Sequence, residues 1–517
     1  MNFDFSAQSN VFWLDGAVHV REYPALQEDI AIDVAIVGAG MAGLHCAWNL
    51  RSRGLRVAIF EGAQIGRQAT GRATAKVTSQ HGLCYQTITK KFSAEYARIH
   101  ARENEKALRL IKEISGTIGT AAAFETCEAY IFGRSSDEVD QLRHEEEAAR
   151  AAGIDASIVH EIIAPVEATA ALRFPGQGQF DPYGYLQGLA ALLDGEVNIY
   201  ENSRVVNVEY DAPCRLTVNG HEVTAAHVVV TTQQPIVGEG HFFAKAFPFA
   251  HVVAAAPLPP SIELDGMFIN VGEPSRSIRK AQHEGETYVI VSGAEFHPGE
   301  PEDLRAATDD LRAFLADNLS IREPTHLWTN EDFRPMDGAA FIGPAQSDMP
   351  RLLVATGFAA WGITQGAVAG EVLASCVRGE EHTASKLYDA TRHKPVAGGA
   401  EFAKENLKAG MHLVGDRVLG QKIVKLNEIG LGEAAVVSHG GESLAVRRDP
   451  SGEIVALSAI CTHMGCVVDW NGVDRTWDCP CHGSRFDQGG NVLAGPATEP
   501  LERKTIHVEV DDGVVET

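Results

Sequence analysis

Two short segments near the C-terminus hold the residues best suited to chemistry, Cys461-Thr462-His463 and Cys479-Pro480-Cys481-His482. Each couples a cysteine to a histidine, at C-x-H spacing in the first and C-x-x-H in the second. Thiolate and imidazole are both metal ligands, so Cys461, His463, Cys479 and His482 form a four-donor set. A single zinc ion accepts such a set in tetrahedral geometry. So does a two-iron, two-sulfide cluster whose one iron takes both cysteines and whose other takes both histidines. Only the second handles electrons.

The surroundings favour the cluster. Cys466 and Cys481 add one further thiol to each segment, which a single zinc does not need. The pattern C-T-H-x-G-C followed by C-P-C-H-G-S, running through Gly465, Gly483 and Ser484, resembles that of the Rieske iron–sulfur proteins. That resemblance implies a [2Fe-2S] cluster on Cys461, His463, Cys479 and His482, with a Cys466–Cys481 disulfide tying the two loops over it. It also implies that Ser484 donates to a cluster sulfur and that Gly495-Pro496-Ala497 is the family's third loop. Imidazoles in place of two thiolates raise the potential to roughly −150 to +300 mV, against about −400 mV for plant-type ferredoxins. Phe486 stands where high-potential respiratory members carry a tyrosine that hydrogen-bonds a cysteine sulfur. A potential below the top of that range is therefore expected.

The other end of the chain carries a nucleotide-binding pattern. Asp33-Val34-Ala35-Ile36-Val37 reads as a buried parallel strand that stops at Gly38-Ala39-Gly40-Met41-Ala42-Gly43, after which a helix runs through Leu50. In that context Gly38 makes the tight turn, Gly40 lets backbone approach a pyrophosphate, and Gly43 permits close packing of helix on strand. The phosphates would rest on the helix N-terminus. A second strand, Arg56-Val57-Ala58-Ile59-Phe60, ends at Glu61, the acidic residue expected to accept from ribose hydroxyls.

Glycines and acid alone do not separate NAD from FAD. The segment from Glu61 to Arg72, with Ile65-Gly66, Thr70, Gly71 and Arg72, resembles the E-x-x-x-I-G-x-G-A-S-G-R region of the D-amino acid oxidase (DAO) superfamily of flavoproteins. That resemblance implies FAD, with this loop running along the pyrophosphate toward the flavin ring. It extends to Val205, placed against adenine, and to the strand His227–Thr232, which closes the nucleotide site at Thr232. It extends further to Ala355-Thr356-Gly357 and Trp361-Gly362-Ile363-Thr364, where backbone N–H groups and a helix N-terminus would face the flavin pyrimidine edge. Lys76, Trp361 and Arg334 are the expected catalytic residues beside the flavin, and Arg276 and Arg279 are candidates for a substrate carboxylate or for ordinary salt bridges. The segment from Trp328 to Phe333 lacks the cysteine to which sarcosine oxidases attach their flavin, so noncovalent FAD is expected.

At 517 residues, 45% hydrophobic and 22% charged, the chain has room for several cores. The expected fold is an α/β Rossmann-like FAD-binding domain with an inserted mixed-sheet substrate domain of DAO type, followed by an all-β Rieske domain. The boundaries read as 1–380 for the first, with nucleotide-binding parts near 30–80, 200–235 and 335–380. A helical linker is expected over 381–422 and the cluster domain over 423–517. Residues 85–170 read as helix-rich and solvated, and residues 240–330 as the substrate-domain sheet. A net charge of −25 argues against nucleic acid and anionic membranes as partners. No apolar run reaches the ~18–20 residues of a membrane span, and the first ten residues lack a signal-peptide pattern, so a cytoplasmic protein is expected. Cys46, Cys84, Cys127, Cys214 and Cys376 show no pairing or metal spacing and read as free thiols.

The two resemblances together imply an oxidoreductase that dehydrogenates an amine or amino acid and sends electrons one at a time through the cluster to an external acceptor, a protein or a quinone. Two alternatives stay open: a reductase in which electrons run from a donor through the cluster to FAD, and a redox-responsive module without turnover.

Overall fold

The computed structural model describes residues 10–15, 17, 21–392, 404–410, 428–510 and 513–516. Most of the expected linker, residues 393–403 and 411–422, lies outside the described residues, apart from a helix over 404–410. Residues 1–9 and the expected start of the cluster domain at 423–427 also lie outside them.

The β-branched run Ile30–Val37 is the centre of an eight-stranded sheet, parallel to Val57–Phe60 on one side and to His221–Val230 on the other. Buried on both faces, it needs apolar residues at successive positions, and its last four are all buried. Leu352–Thr356 extends the sheet in parallel beyond His221–Val230, and Asn198–Tyr200 extends it beyond Val57–Phe60. The helices Met41–Leu50 and Gly362–Val377 pack on each other over this sheet. Both begin at its C-terminal edge, where open α/β sheets bind their ligands.

A second sheet of nine strands is mixed, as expected of the inserted domain. Its antiparallel half runs through His326–Pro335, Ala246–Pro257, Glu286–Phe296, Ser277–His283 and Met267–Asn270. Residues 85–170 are helix-rich as expected, with Cys84–Lys91, Ala94–Ile118 and Ser136–Ala151, but strands Glu125–Gly133 and Ser157–Val159 lie among these helices and Ala170–Gln179 follows them. Glu125–Gly133 pairs in parallel with Met267–Asn270 and so joins the two halves of the sheet. Its first residues are exposed or half-buried and polar, which hides the strand beside charge-rich helices.

The C-terminal part is all β, as expected. One four-stranded sheet contains Ala434–His439, Glu442–Arg448, Ile454–Ser458 and Arg503–Lys504, and a second contains Asp469–Asn471, Thr476–Asp478, Arg485–Phe486 and Val492–Ala494. Cys461, Cys466, Cys479 and Cys481 belong to the hydrophobic core between them, with Trp477 and Phe486. Among the described residues no helix is long and apolar enough to cross a membrane.

Two buried histidines give the N-terminal part an acid limit. Burial pushes His45 down to about 3 and His100 down to about 4. In the unfolded chain both titrate near 6.5, so below that pH the unfolded chain binds protons that the folded one refuses. Their contribution is complete above about pH 6.5 and lost as pH falls toward 4, on the order of 3 kcal/mol for each. The melting temperature should hold steady above pH 7 and drop steeply between pH 6.5 and 4. A His100→Gln variant should show a shallower drop.

Candidate functional site

Gly38 takes a φ of +101° at the end of its strand, and a Cβ on Gly43 would lie 2.0 Å from the Gly38 carbonyl oxygen. Strand end and helix start therefore touch, and the cavity above them is walled by backbone. Glu61 lines the cavity, its carboxylate oxygens accepting from Ala39 N at 2.9 Å and Ala63 N at 3.0 Å. That leaves lone pairs for hydroxyl donors. Gly362 and Ile363 bring the start of a second helix to the opposite wall. Two helix N-termini and a fixed carboxylate around one cavity fit a dinucleotide with its pyrophosphate.

Of the residues expected at the nucleotide, Gly38, Ala39, Gly40, Met41, Ala42, Glu61, Thr70, Val205, Thr232, Gly362 and Ile363 line this cavity. Gly43, Gly71, Arg72, Gly357 and Thr364 do not line it. Gly71 is packed so closely on Gly66 that a Cβ there would meet the Gly66 carbonyl oxygen, and Gly357, with φ of +77°, turns against Pro335. The Thr364 hydroxyl donates to Thr78 O at 2.9 Å.

The four metal donors converge in the cluster domain. The Cys461 and Cys479 thiols are in hydrogen-bond contact, and this contact holds Cys461 down to about 7 while burial opposes it. The His463 and His482 rings stand edge to face with centroids 5.0 Å apart. Nδ1 of each ring is buried and has no hydrogen-bond partner among the described residues. Two orphaned imidazole nitrogens beside two close thiols fit a mixed Cys2His2 cluster. Cys466 and Cys481 are disulfide-bonded. Ser484 is hydrogen-bonded to the Cys461 thiol and accepts from Ala497 N at 3.0 Å.

Phe486 is fully buried in the same core. A hydroxyl at its ring would add a donor toward sulfur, and such donors favour the reduced, more negative cluster. Phe486→Tyr should raise the midpoint potential in voltammetry of the full-length protein. A bond about 1.4 kcal/mol stronger to the reduced state corresponds to roughly 60 mV for one electron.

The two sites share a wall. Leu493, Ala494 and Gly495 of the cluster domain line the same cavity as Gly38 and Glu61, and Gly495 lies against Ile236. From the cavity, Arg204 donates to Val492 O at 2.8 Å. Gly495 leads through Pro496 to Ala497, and so to Ser484 and the Cys461 sulfur. On another side Phe243 packs edge-on against His463 and His482, at 5.9 and 5.4 Å between centroids.

The expected catalytic residues are placed differently. Trp361 precedes the helix Gly362–Val377 and stacks on His81 with centroids 4.9 Å apart. Lys76 does not line the cavity: its Nζ donates to Phe268 O at 2.7 Å, and burial with Arg279 nearby pushes it down to about 7. Arg334 also lies away from the cavity, pairing with Glu295 at 2.5 Å and covering Phe249. Asn330 and Asp332 of the same strand line the cavity, and Arg334, on the same face two residues further along, lies past its rim at the exposed end of the strand. Arg276 pairs with Asp310 at 2.7 Å, and Arg279 donates to the carbonyls of Thr74, Ala75 and Phe180.

One chain of buried groups had no local signal in the sequence. His81 Nε2 donates to Thr78 O at 2.8 Å, so its Nδ1 accepts from His100 Nε2 at 3.2 Å. His100 Nδ1 in turn accepts from the Tyr388 hydroxyl at 2.8 Å. This chain braces the helix start at Thr364, whose hydroxyl lies 3.0 Å from His81 Nε2.

Both parts of the chain resemble known proteins. Residues 33–376 match the FAD dependent oxidoreductase (DAO) family, and residues 420–506 match the Rieske [2Fe-2S] domain. The chain is 29% identical over 506 residues to YhfW of Bacillus subtilis (strain 168), whose name describes a Rieske 2Fe-2S iron-sulfur protein; 97% of this chain and 99% of that one are covered. Glycine oxidase from Geobacillus kaustophilus has a similar fold, with a TM-score of 0.58 at 18% identity over 70% of this chain and 99% of its own. L-proline dehydrogenase from P. horikoshii gives a TM-score of 0.57 at 17% identity, covering 71% and 98%. The chain thus belongs to the FAD dependent oxidoreductase family and carries a Rieske [2Fe-2S] domain behind it, so that FAD and a [2Fe-2S] cluster are its cofactors.

Proposed function

We propose that this protein dehydrogenates the C–N bond of an amine or amino acid and passes the electrons singly through the cluster to an external acceptor. The observation that carries the reading is the shared wall: Leu493 to Gly495 belong at once to the flavin cavity and to the loop that reaches Ser484. Bound FAD supplies acceptance of a hydride, and the cluster supplies one-electron carriage.

The chain's own residues provide the setting. The N-terminal end of the helix Gly362–Val377 favours negative charge at the cavity wall. A hydride carries two electrons and the cluster accepts one, so each turnover needs two transfers out. Met464, beside His463, is 45% exposed, which leaves one edge of a ligand loop open to an acceptor protein or quinone. The substrate class is supported by the names of the two fold relatives, a glycine oxidase and an L-proline dehydrogenase.

The test is an anaerobic screen of amines and amino acids for flavin bleaching, followed by EPR of the reduced cluster. Bleaching that precedes cluster reduction supports the reading. Bleaching that never reduces the cluster, or a flavin reduced only by a donor acting through the cluster, overturns it.

A further inference from the structure

The seam between the two domains contains a buried charge network. Arg72, at the end of the loop expected along the pyrophosphate, donates through Nε to Thr329 O at 2.9 Å and through Nη2 to Asp474 of the cluster domain at 2.5 Å. Asp474 also accepts from Thr329 N at 3.1 Å and from the Thr329 hydroxyl at 2.5 Å. Arg485, next to Ser484 in the second ligand loop, donates to the same Asp474 oxygen at 2.6 Å and to Asp478 at 3.1 Å. None of these four charged side chains is more than 7% exposed.

Two guanidiniums, Arg72 and Arg485, here meet the carboxyl groups of Asp474 and Asp478. Burial works against the Asp474 carboxylate, yet Arg72 and Arg485 hold it down to about 2, so it stays ionised. Glu331, in the same seam 3.9 Å from Arg485, is pushed well up by burial. Neither of its carboxyl oxygens has a hydrogen-bond partner among the described residues. A network of this kind adds little net stability, because water takes up the charges again when the surfaces part. Its effect is on register, since charge-assisted hydrogen bonds tolerate little displacement.

We propose that Asp474 is a positioning residue that clamps the cluster domain to the flavin loop through Arg72 and to the ligand loop through Arg485, fixing the separation of the two cofactors. This rests on the reading that electrons pass between flavin and cluster. Asp474 is the one acid here that holds an arginine from each side of the seam. Without its charge, Arg72 and Arg485 would face each other across the seam, and Asp478 would remain hydrogen-bonded to Arg485 alone of the two.

The test uses the full chain loaded with both cofactors. The flavin is photoreduced by a laser flash, and cluster reduction is followed by its absorbance. Asp474→Asn should slow the transfer severalfold or more, because electron transfer between two cofactors weakens steeply with their separation. FAD content, cluster content and both midpoint potentials should stay at wild-type values, which separates positioning from retuning. Asp474→Glu, which restores the charge, should recover part of the rate. Should Asp474→Asn fail to fold, Thr329→Val removes one of the bonds to Asp474 and keeps all charges, and it should slow the transfer severalfold at unchanged potentials. A wild-type rate in whichever of these variants folds with both cofactors would overturn the clamp alone, as would a slowing accounted for by a shifted potential. Absence of any transfer in the wild-type protein would overturn the clamp together with the functional reading beneath it.

Discussion

Replacing His482 with alanine should abolish the EPR signal of the reduced cluster while the flavin absorbance persists. His482 supplies one of the two imidazoles, and its loss leaves the histidine-bound iron a single protein ligand. No neighbour replaces it, because Phe243 covers the ring with carbon and the adjacent thiol of Cys481 is tied to Cys466. The flavin cavity is built almost wholly from the N-terminal domain, with Leu493 to Gly495 the cluster domain's share, so FAD should remain. Metal analysis and flavin quantitation on one preparation check this. Loss of both signals together, or stoichiometric zinc in the wild-type protein, would contradict two separate centres.

The glycine turn should respond to substitution in two distinct ways. A Cβ on Gly43 would sit 2.0 Å from the Gly38 carbonyl oxygen and 2.9 Å from Thr231 Oγ1, so Gly43→Val must push strand from helix. Overpacking of this severity costs about 3 kcal/mol or more, and that variant should lose flavin and thermal stability alike. A Cβ on Gly40 meets only Thr70 Oγ1 at 3.3 Å. Gly40→Val should therefore fold with a melting temperature close to that of wild-type apoprotein, yet bind no flavin, because its methyl groups occupy the approach to the pyrophosphate. Flavin-to-protein ratios and melting curves of the apoproteins separate the two. Full occupancy in Gly40→Val would place the pyrophosphate elsewhere.

What the sequence disclosed depended on distance along the chain. The Cys461–His463 and Cys479–His482 segments and the turn from Gly38 to Gly43 are local, so residue type and spacing sufficed to identify them. The strand Glu125–Gly133 was hidden, because its polar first half resembles the charged helices on either side. Lys76 and Arg334 were expected at the flavin from their neighbours in sequence, but the tertiary fold brings the Phe268 carbonyl and Glu295, distant in sequence, within reach of their side chains. Arg72 was expected along the pyrophosphate, and nothing in the sequence tied it to Asp474, 402 residues away, until the fold brings the two together. Pairing across such a separation leaves no periodicity for a sequence reading to detect.

The wall formed by Leu493, Ala494 and Gly495 makes the two halves of this chain poor candidates for separate lives. A protein ending after the helix Gly362–Val377 would lose its cluster and also open the flavin cavity on one side, leaving Arg204 without the Val492 carbonyl and Arg72 without Asp474. Dioxygen and water would then reach the cofactor from a side that the intact chain walls off. The liberated cluster domain would bare the imidazole edge that Phe243 now covers. A truncation or domain exchange at the linker is therefore damaging to both partners, and the pair is expected to pass through evolution as one heritable unit.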